Sequence, residues 1–190
     1  MFESLPDIPR LFTALAEWGA ALVYVFVVAR SASSNALNPN AAIPRWRLAV
    51  AAVGGLVVLA GAQELLGRAP LSLWVPGMMM AYALMWCVIR VGTALDWRWV
   101  THMSARAFIV AELAASLAWQ VVVYSHSDKP YWHPLSFGGF AAIAATCLAV
   151  VYFFERRIYR QGALPILRFA DLASGVLIGI AIFALSNLSF

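Results

Sequence analysis

Ala107-Phe108-Ile109-Val110-Ala111-Glu112-Leu113-Ala114-Ala115-Ser116-Leu117-Ala118-Trp119-Gln120-Val121-Val122-Val123-Tyr124 is an apolar run carrying a single charged side chain, Glu112. As a helix it rises about 27 Å at 1.5 Å per residue, close to the ~30 Å thickness of bilayer hydrocarbon. Lipid offers the backbone no hydrogen-bond partner, so a lone span of this kind must be helical. Five more runs repeat the pattern: Leu11–Ala29, Leu48–Leu66, Leu71–Ile89, Phe137–Phe154 and Leu172–Phe190. Breakers separate them, among them Asn38-Pro39-Asn40 with Pro44, Gly67 with Pro70, Lys129-Pro130 with Pro134, and Gly162 with Pro165. The sequence therefore predicts an all-α, polytopic integral membrane helix bundle of six transmembrane helices, with residues 1–190 forming a single domain.

Composition agrees. Hydrophobic residues make up 63% of the 190 and charged ones 12%, against about 25% charged in a soluble domain. The net charge of +4 does not indicate a nucleic-acid partner, because the basic residues sit at the ends of apolar runs instead of along one face. There they orient helices. Cys87 and Cys147 lie inside apolar runs with no second ligand nearby, and read as buried free thiols. The first run has the length of a signal peptide, but Glu3 and Asp7 outweigh Arg10 ahead of it, so it reads as a retained first helix.

Charge also sets the expected orientation. Arg30, Arg45, Arg47, Arg90, Arg98, Arg106, Arg156, Arg157, Arg160 and Arg168 fall on one side of the six-span arrangement; Arg10, Arg68 and Lys129 fall on the other. Ten against three places the first group in the cytoplasm and the N-terminus outside. Phe190 is then outside as well, and the last run stops there without a polar tail. We expect the natural chain to continue into a seventh helix.

Glu112, Ser116 and Gln120 recur at four-residue intervals and form one polar stripe on the fourth run. A mid-membrane carboxylate costs at least about 2–3 kcal/mol unless neutral or partnered, so the stripe is expected to face the bundle. It reads either as a ligand contact, proton site or conformational switch, or as interhelical glue of about 1 kcal/mol per hydrogen bond. Ala107, Ala111 and Ala115, and the Gly175/Gly179 pair in the last run, are small residues suited to close helix packing. Met78, Met79, Met80 and Met85 offer either an adaptable wall or ordinary packing. Trp74-Val75-Pro76-Gly77 reads as an internal helix break. His126 and His133, with Asp128, sit on a Pro-containing loop whose spacing fixes no metal geometry, and His102 reads as a solvated loop residue. No catalytic cluster, phosphate loop or metal motif appears, and no cofactor is expected.

Two stretches have a familiar look. Arg106 to Gln120 resembles a segment in the N-terminal membrane region of bacterial GHKL-type sensor histidine kinases. Ile182-Phe183-Ala184-Leu185-Ser186-Asn187-Leu188-Ser189-Phe190 resembles a second segment of the same proteins. The first departs from the family's pattern at Ala118, where an acidic residue often precedes the Trp-Gln pair. The resemblance implies a multi-pass sensor in the bacterial plasma membrane, with an extracellular ligand such as a peptide. It further implies a cytoplasmic kinase that dimerises, passes phosphate to a response regulator, and lies outside this sequence. It adds Asn187 to Glu112, Ser116 and Gln120 as candidate ligand-binding or switch positions. The rival expectation is a small membrane transporter or substrate-capture subunit, for which a broken helix would be a binding feature.

Overall fold

The computed structural model describes residues 8–34, 43–93, 95–125, 130, 132–159 and 169–187. Among them every regular element is a helix: α1 (Arg10–Ser34), α2 (Arg45–Ala49), a π-helical turn (Val50–Gly54), α3 (Gly55–Gly67), a short 3₁₀ turn (Leu71–Leu73), α4 (Trp74–Thr93), α5 (Trp97–Ser125), α6 (Pro134–Tyr159) and α7 (Phe169–Asn187). Among the described residues five stretches are long and apolar enough to cross a membrane, Arg10–Ser31, Arg45–Gly67, Val75–Thr93, Trp97–Ser125 and Pro134–Tyr159, and the sixth expected span, on α7, is not among them.

Helix α1 is the hub. It packs against α3, α4, α5 and α6, and Phe12, Ala16, Ala20, Ala21, Tyr24 and Val25 are all essentially inaccessible. Its outer turn is held by rings: Phe12 stacks on Phe140 of α6 at 4.1 Å and meets Trp119 of α5 edge-on at 5.8 Å. On the bundle surface, Val53, Val57, Leu65, Leu113, Phe153 and Phe154 are exposed. In water such a surface would aggregate; in lipid it is the solvated face.

Hydrogen bonds and close approaches fix which ends lie together. Arg47, at the start of α2, donates to the Val91 carbonyl at 2.7 Å, where a cation favours the C-terminus of α4. Ser31 Oγ donates to the Tyr159 carbonyl at the end of α6. Arg10 and Gly67 meet at the opposite end. Of the ten arginines expected on one side, Arg47, Arg90, Arg98, Arg106, Arg156 and Arg157 thus gather at a single end. Lys129, Arg160 and Arg168 lie outside the described residues.

Several expectations change. Helix α5 begins ten residues before the apolar run that announced it, because Asp96 starts it: its carbonyl accepts from Val100 and its carboxylate from Arg98. His102 is consequently helical and half-buried, edge-on to Trp99 and beside Gly175 of α7, instead of a solvated loop residue. Pro76 does not break a helix. It occupies the first turn of α4, where a missing N–H costs nothing. Cys87 is exposed rather than buried, while both thiols are free. The methionines divide, Met78 and Met85 buried in the core and Met79 and Met80 facing outward, as ordinary packing would have them.

Candidate functional site

The chemistry-bearing residues of the interior hang from α1 at seven-residue intervals. Arg10, Glu17, Tyr24 and Ser31 share one face, since seven residues are nearly two whole turns. The three inner ones each bond to a different place. Glu17 accepts from Gln63 of α3 at 2.7 Å, and both side chains are 0% exposed. About 10 Å further along the helix, Tyr24 donates to Glu155 of α6 at 3.1 Å. The same Glu155 oxygen forms an ion pair with Arg106 of α5. One turn-pair beyond, Ser31 reaches the Tyr159 backbone at 3.0 Å.

Two polar joints result. The inner one, Tyr24–Glu155–Arg106, ties three helices through a charged centre: Glu155 is buried, while Arg106 is about a third exposed and keeps contact with the bundle end. The middle one, Glu17–Gln63, has no cation. Glu17 Oε2 and Gln63 Oε1 have no hydrogen-bond partner among the described residues.

A third polar group borders the middle joint. Glu112 of α5 lies close enough to Glu17 for their charges to interact. Glu112 and Ser116 are half-buried and Gln120 is exposed; Gln120 Nε2 donates to Ser116 Oγ at 3.5 Å. The stripe therefore faces the bundle at Glu112 and turns out of it by Gln120. That is a correction: the face is not buried along its length, because Ala107, Ala111, Ala115 and Ala118 occupy the fully buried line of α5. Larger side chains cannot approach α1 that closely, so the alanine row takes the interior and the polar row is displaced to its edge.

The Gly175/Gly179 pair packs inside the bundle against α5: Gly175 faces His102 and Ala105, and Gly179 faces Ile109. Advancing partners on both helices make α7 parallel to α5. Each site would still accept a methyl at ordinary contact distance, 3.8–3.9 Å, so glycine is not sterically required. Tight approaches occur elsewhere. A Cβ on Gly92 would stand 2.7 Å from two methyls of Val25. Asn187 is the last residue of α7, and its side chain lies outside the described residues, as do His126 and Asp128; His133 caps α6 by accepting from Leu135. No group of three metal-ligating side chains occurs among the described residues.

Sequence reasoning missed Glu17, Gln63, Tyr24 and Glu155. The available signal was the seven-residue recurrence in α1. Each position is flanked by apolar residues, so the helix reads as uniformly hydrophobic unless its polar residues are phased. No family model, curated protein or solved structure matches the chain.

Proposed function

We propose that this chain is the membrane-embedded sensor portion of a two-component histidine kinase. In this reading an extracellular ligand, such as a peptide, biases two packings of the bundle, and the bias reaches a cytoplasmic kinase beyond this sequence. Helix α7 serves as the sixth span, a seventh follows it, and the N-terminus faces outward in a bacterial plasma membrane. Dimerisation belongs to the kinase part, and a response regulator receives the phosphate.

The observation that carries the reading is the inner joint. One buried carboxylate, Glu155, holds α1 and α5 to α6 through Tyr24 and Arg106. Such a shared acceptor is a natural two-state element, because both partners use Glu155 Oε1 while its Oε2, buried and without a hydrogen-bond partner among the described residues, is free to take either of them. It sits at the arginine-rich end, where output to the cytoplasm would leave. The resemblance of Arg106–Gln120 and Ile182–Phe190 to GHKL-type sensor kinases supports the same reading.

The gene and one variant test it. The reading frame is expected to run past Phe190 into a further helix and an ATP-binding kinase module, and a stop codon at that point refutes the proposal. In the full-length protein, Tyr24→Phe should change basal autophosphorylation at equal membrane abundance. Intramembrane carboxylates also suit a transporter, and the Glu17–Gln63 pair is the feature that favours one. Pro76, which the sequence marked as a helix break, sits in the first turn of α4 and breaks no helix there. Ion or solute uptake by reconstituted vesicles would favour that rival.

A further inference from the structure

We propose that Glu17 and Gln63 form a proton-binding site enclosed within the bundle, with Glu112 as the group through which the proton enters and leaves. The site stands on its own and does not depend on the sensor reading.

The argument begins with donors and acceptors. An ionised carboxylate only accepts, and a primary amide offers two donors and one acceptor oxygen. Gln63 Nε2 already donates to Glu17 Oε1 at 2.7 Å. The atoms left over, Glu17 Oε2 and Gln63 Oε1, are both acceptors, both buried, and both without a donor among the described residues. These are the two atoms that a second bond between the same side chains would join. A proton on Oε2 turns the pair into a reciprocal acid–amide couple with every polar atom satisfied. Without it, the interior holds an uncompensated charge and an orphaned carbonyl oxygen, each expensive at this depth.

Among the described residues, the surroundings supply no alternative countercharge. From α5 the ionisable group near Glu17 is Glu112, a second acid and not a cation. Helix α4 brings Ala81 and Met85 to the core; its Tyr82 is committed to the Thr101 carbonyl, and Cys87 is exposed. Helix α6 approaches α1 with Phe140, Ala144 and Leu148, and its Cys147 and Tyr152 are only partly buried. The π turn presents the Ala52 carbonyl, which Trp18 Nε1 occupies at 2.7 Å. On α1 itself the nearest charged group is Arg10, two turns outward beside Gly67. Calcium takes about six or more oxygen ligands and zinc about four ligands, whereas no group of three metal-ligating side chains occurs among the described residues and the two orphaned acceptors need only one shared proton.

Access follows burial. Glu17 is fully enclosed, Glu112 and Ser116 are half-buried, and Gln120 is exposed. This ladder rises along α5 toward the end of the bundle where α1 begins.

The test uses the purified chain in phospholipid vesicles, with infrared difference spectra of the carboxyl C=O stretch recorded while the buffer is taken from alkaline to mildly acid. A protonated-carboxyl band should grow on acidification, vanish in Glu17→Gln, and persist in Glu155→Gln. In Glu112→Gln the band should reach full size with a rate at least about tenfold lower. Gln63→Met keeps Glu17 and guards against a misfolded Glu17→Gln; its titration midpoint should move by about one pH unit. A band of constant size at every pH would make Glu17 a permanently neutral structural donor and overturn the proposal. Survival of the band in Glu17→Gln, or an unmoved midpoint in Gln63→Met, would do the same.

Discussion

The two joints on α1 stand two turns apart and are both built on a buried glutamate, yet they solve burial in opposite ways. Glu155 has a cation and a phenol, and sits where Arg106 can keep one edge in the polar end of the bundle. Glu17 has an amide for company and a second acid nearby, and sits where nothing reaches solvent. Glu17 and Tyr24 lie equally far from the centre of the Arg10–Ser31 span, so their partners decide between them and not position along the membrane normal. A buried carboxylate with a cation in reach is held as a charged pair; one with only an amide beside it is most stable as a neutral hydrogen-bonded couple.

This contrast can be broken at several strengths. Arg106→Leu should have the largest effect, because it leaves Glu155 buried and uncompensated. Thermal unfolding in detergent should show a loss of about 3–5 kcal/mol, and Arg106→Leu with Glu155→Gln should recover most of it. A loss below about 1 kcal/mol would mean that the pair behaves like a surface ion pair and that the burial of Glu155 does not matter. Glu155→Gln alone should cost less, about 1–2 kcal/mol, since Gln still accepts from Tyr24 and Arg106 can turn outward. Tyr24→Phe removes one hydrogen bond and should cost about 1 kcal/mol in the same assay. Glu17→Gln should be the mildest, within about 0.5 kcal/mol, because a neutral glutamic acid and glutamine have nearly the same shape. A cost for Glu17→Gln as large as that of Glu155→Gln would show that Glu17 is an ionised partner, and the two joints would be alike after all.

How much of this was visible in the residues alone varies with distance along the chain. The apolar runs announced six spanning helices, and five of them are long and apolar enough to cross a membrane among the described residues, because length and hydrophobicity are local properties. The Glu112–Ser116–Gln120 stripe was visible too, as a four-residue recurrence. Its neighbour was not: Glu17 lies on another helix, and nothing local pairs them. Gln63 and Glu155 are 46 and 131 residues from their partners on α1, and a polar residue at the edge of an apolar run reads as an interface marker. Glu155, next to Arg156 and Arg157, looks like one. Small residues misled in another way. The Gly175/Gly179 spacing is a familiar packing signal, whereas the positions that leave no room, Gly92 against Val25 and Gly77 against Leu66, have no partner at the same spacing. Close approach depends on which helices meet, and that is settled by the bundle.

The π turn at Val50–Gly54 bears on how this molecule can change by insertion and deletion. A wider turn slips extra chain into one revolution, so the wheel drawn for α2 does not continue into α3. Losing one residue there would remove that extra length, letting the helix close into regular α geometry with everything after it on nearly its former azimuth. Gln63 would keep its place against Glu17. A loss between Gly55 and Ala62, where the winding is already regular, has no slack to draw on and would turn Gln63 by about 100°, so the π turn at Val50–Gly54 is a place in this span that can absorb the loss of a codon.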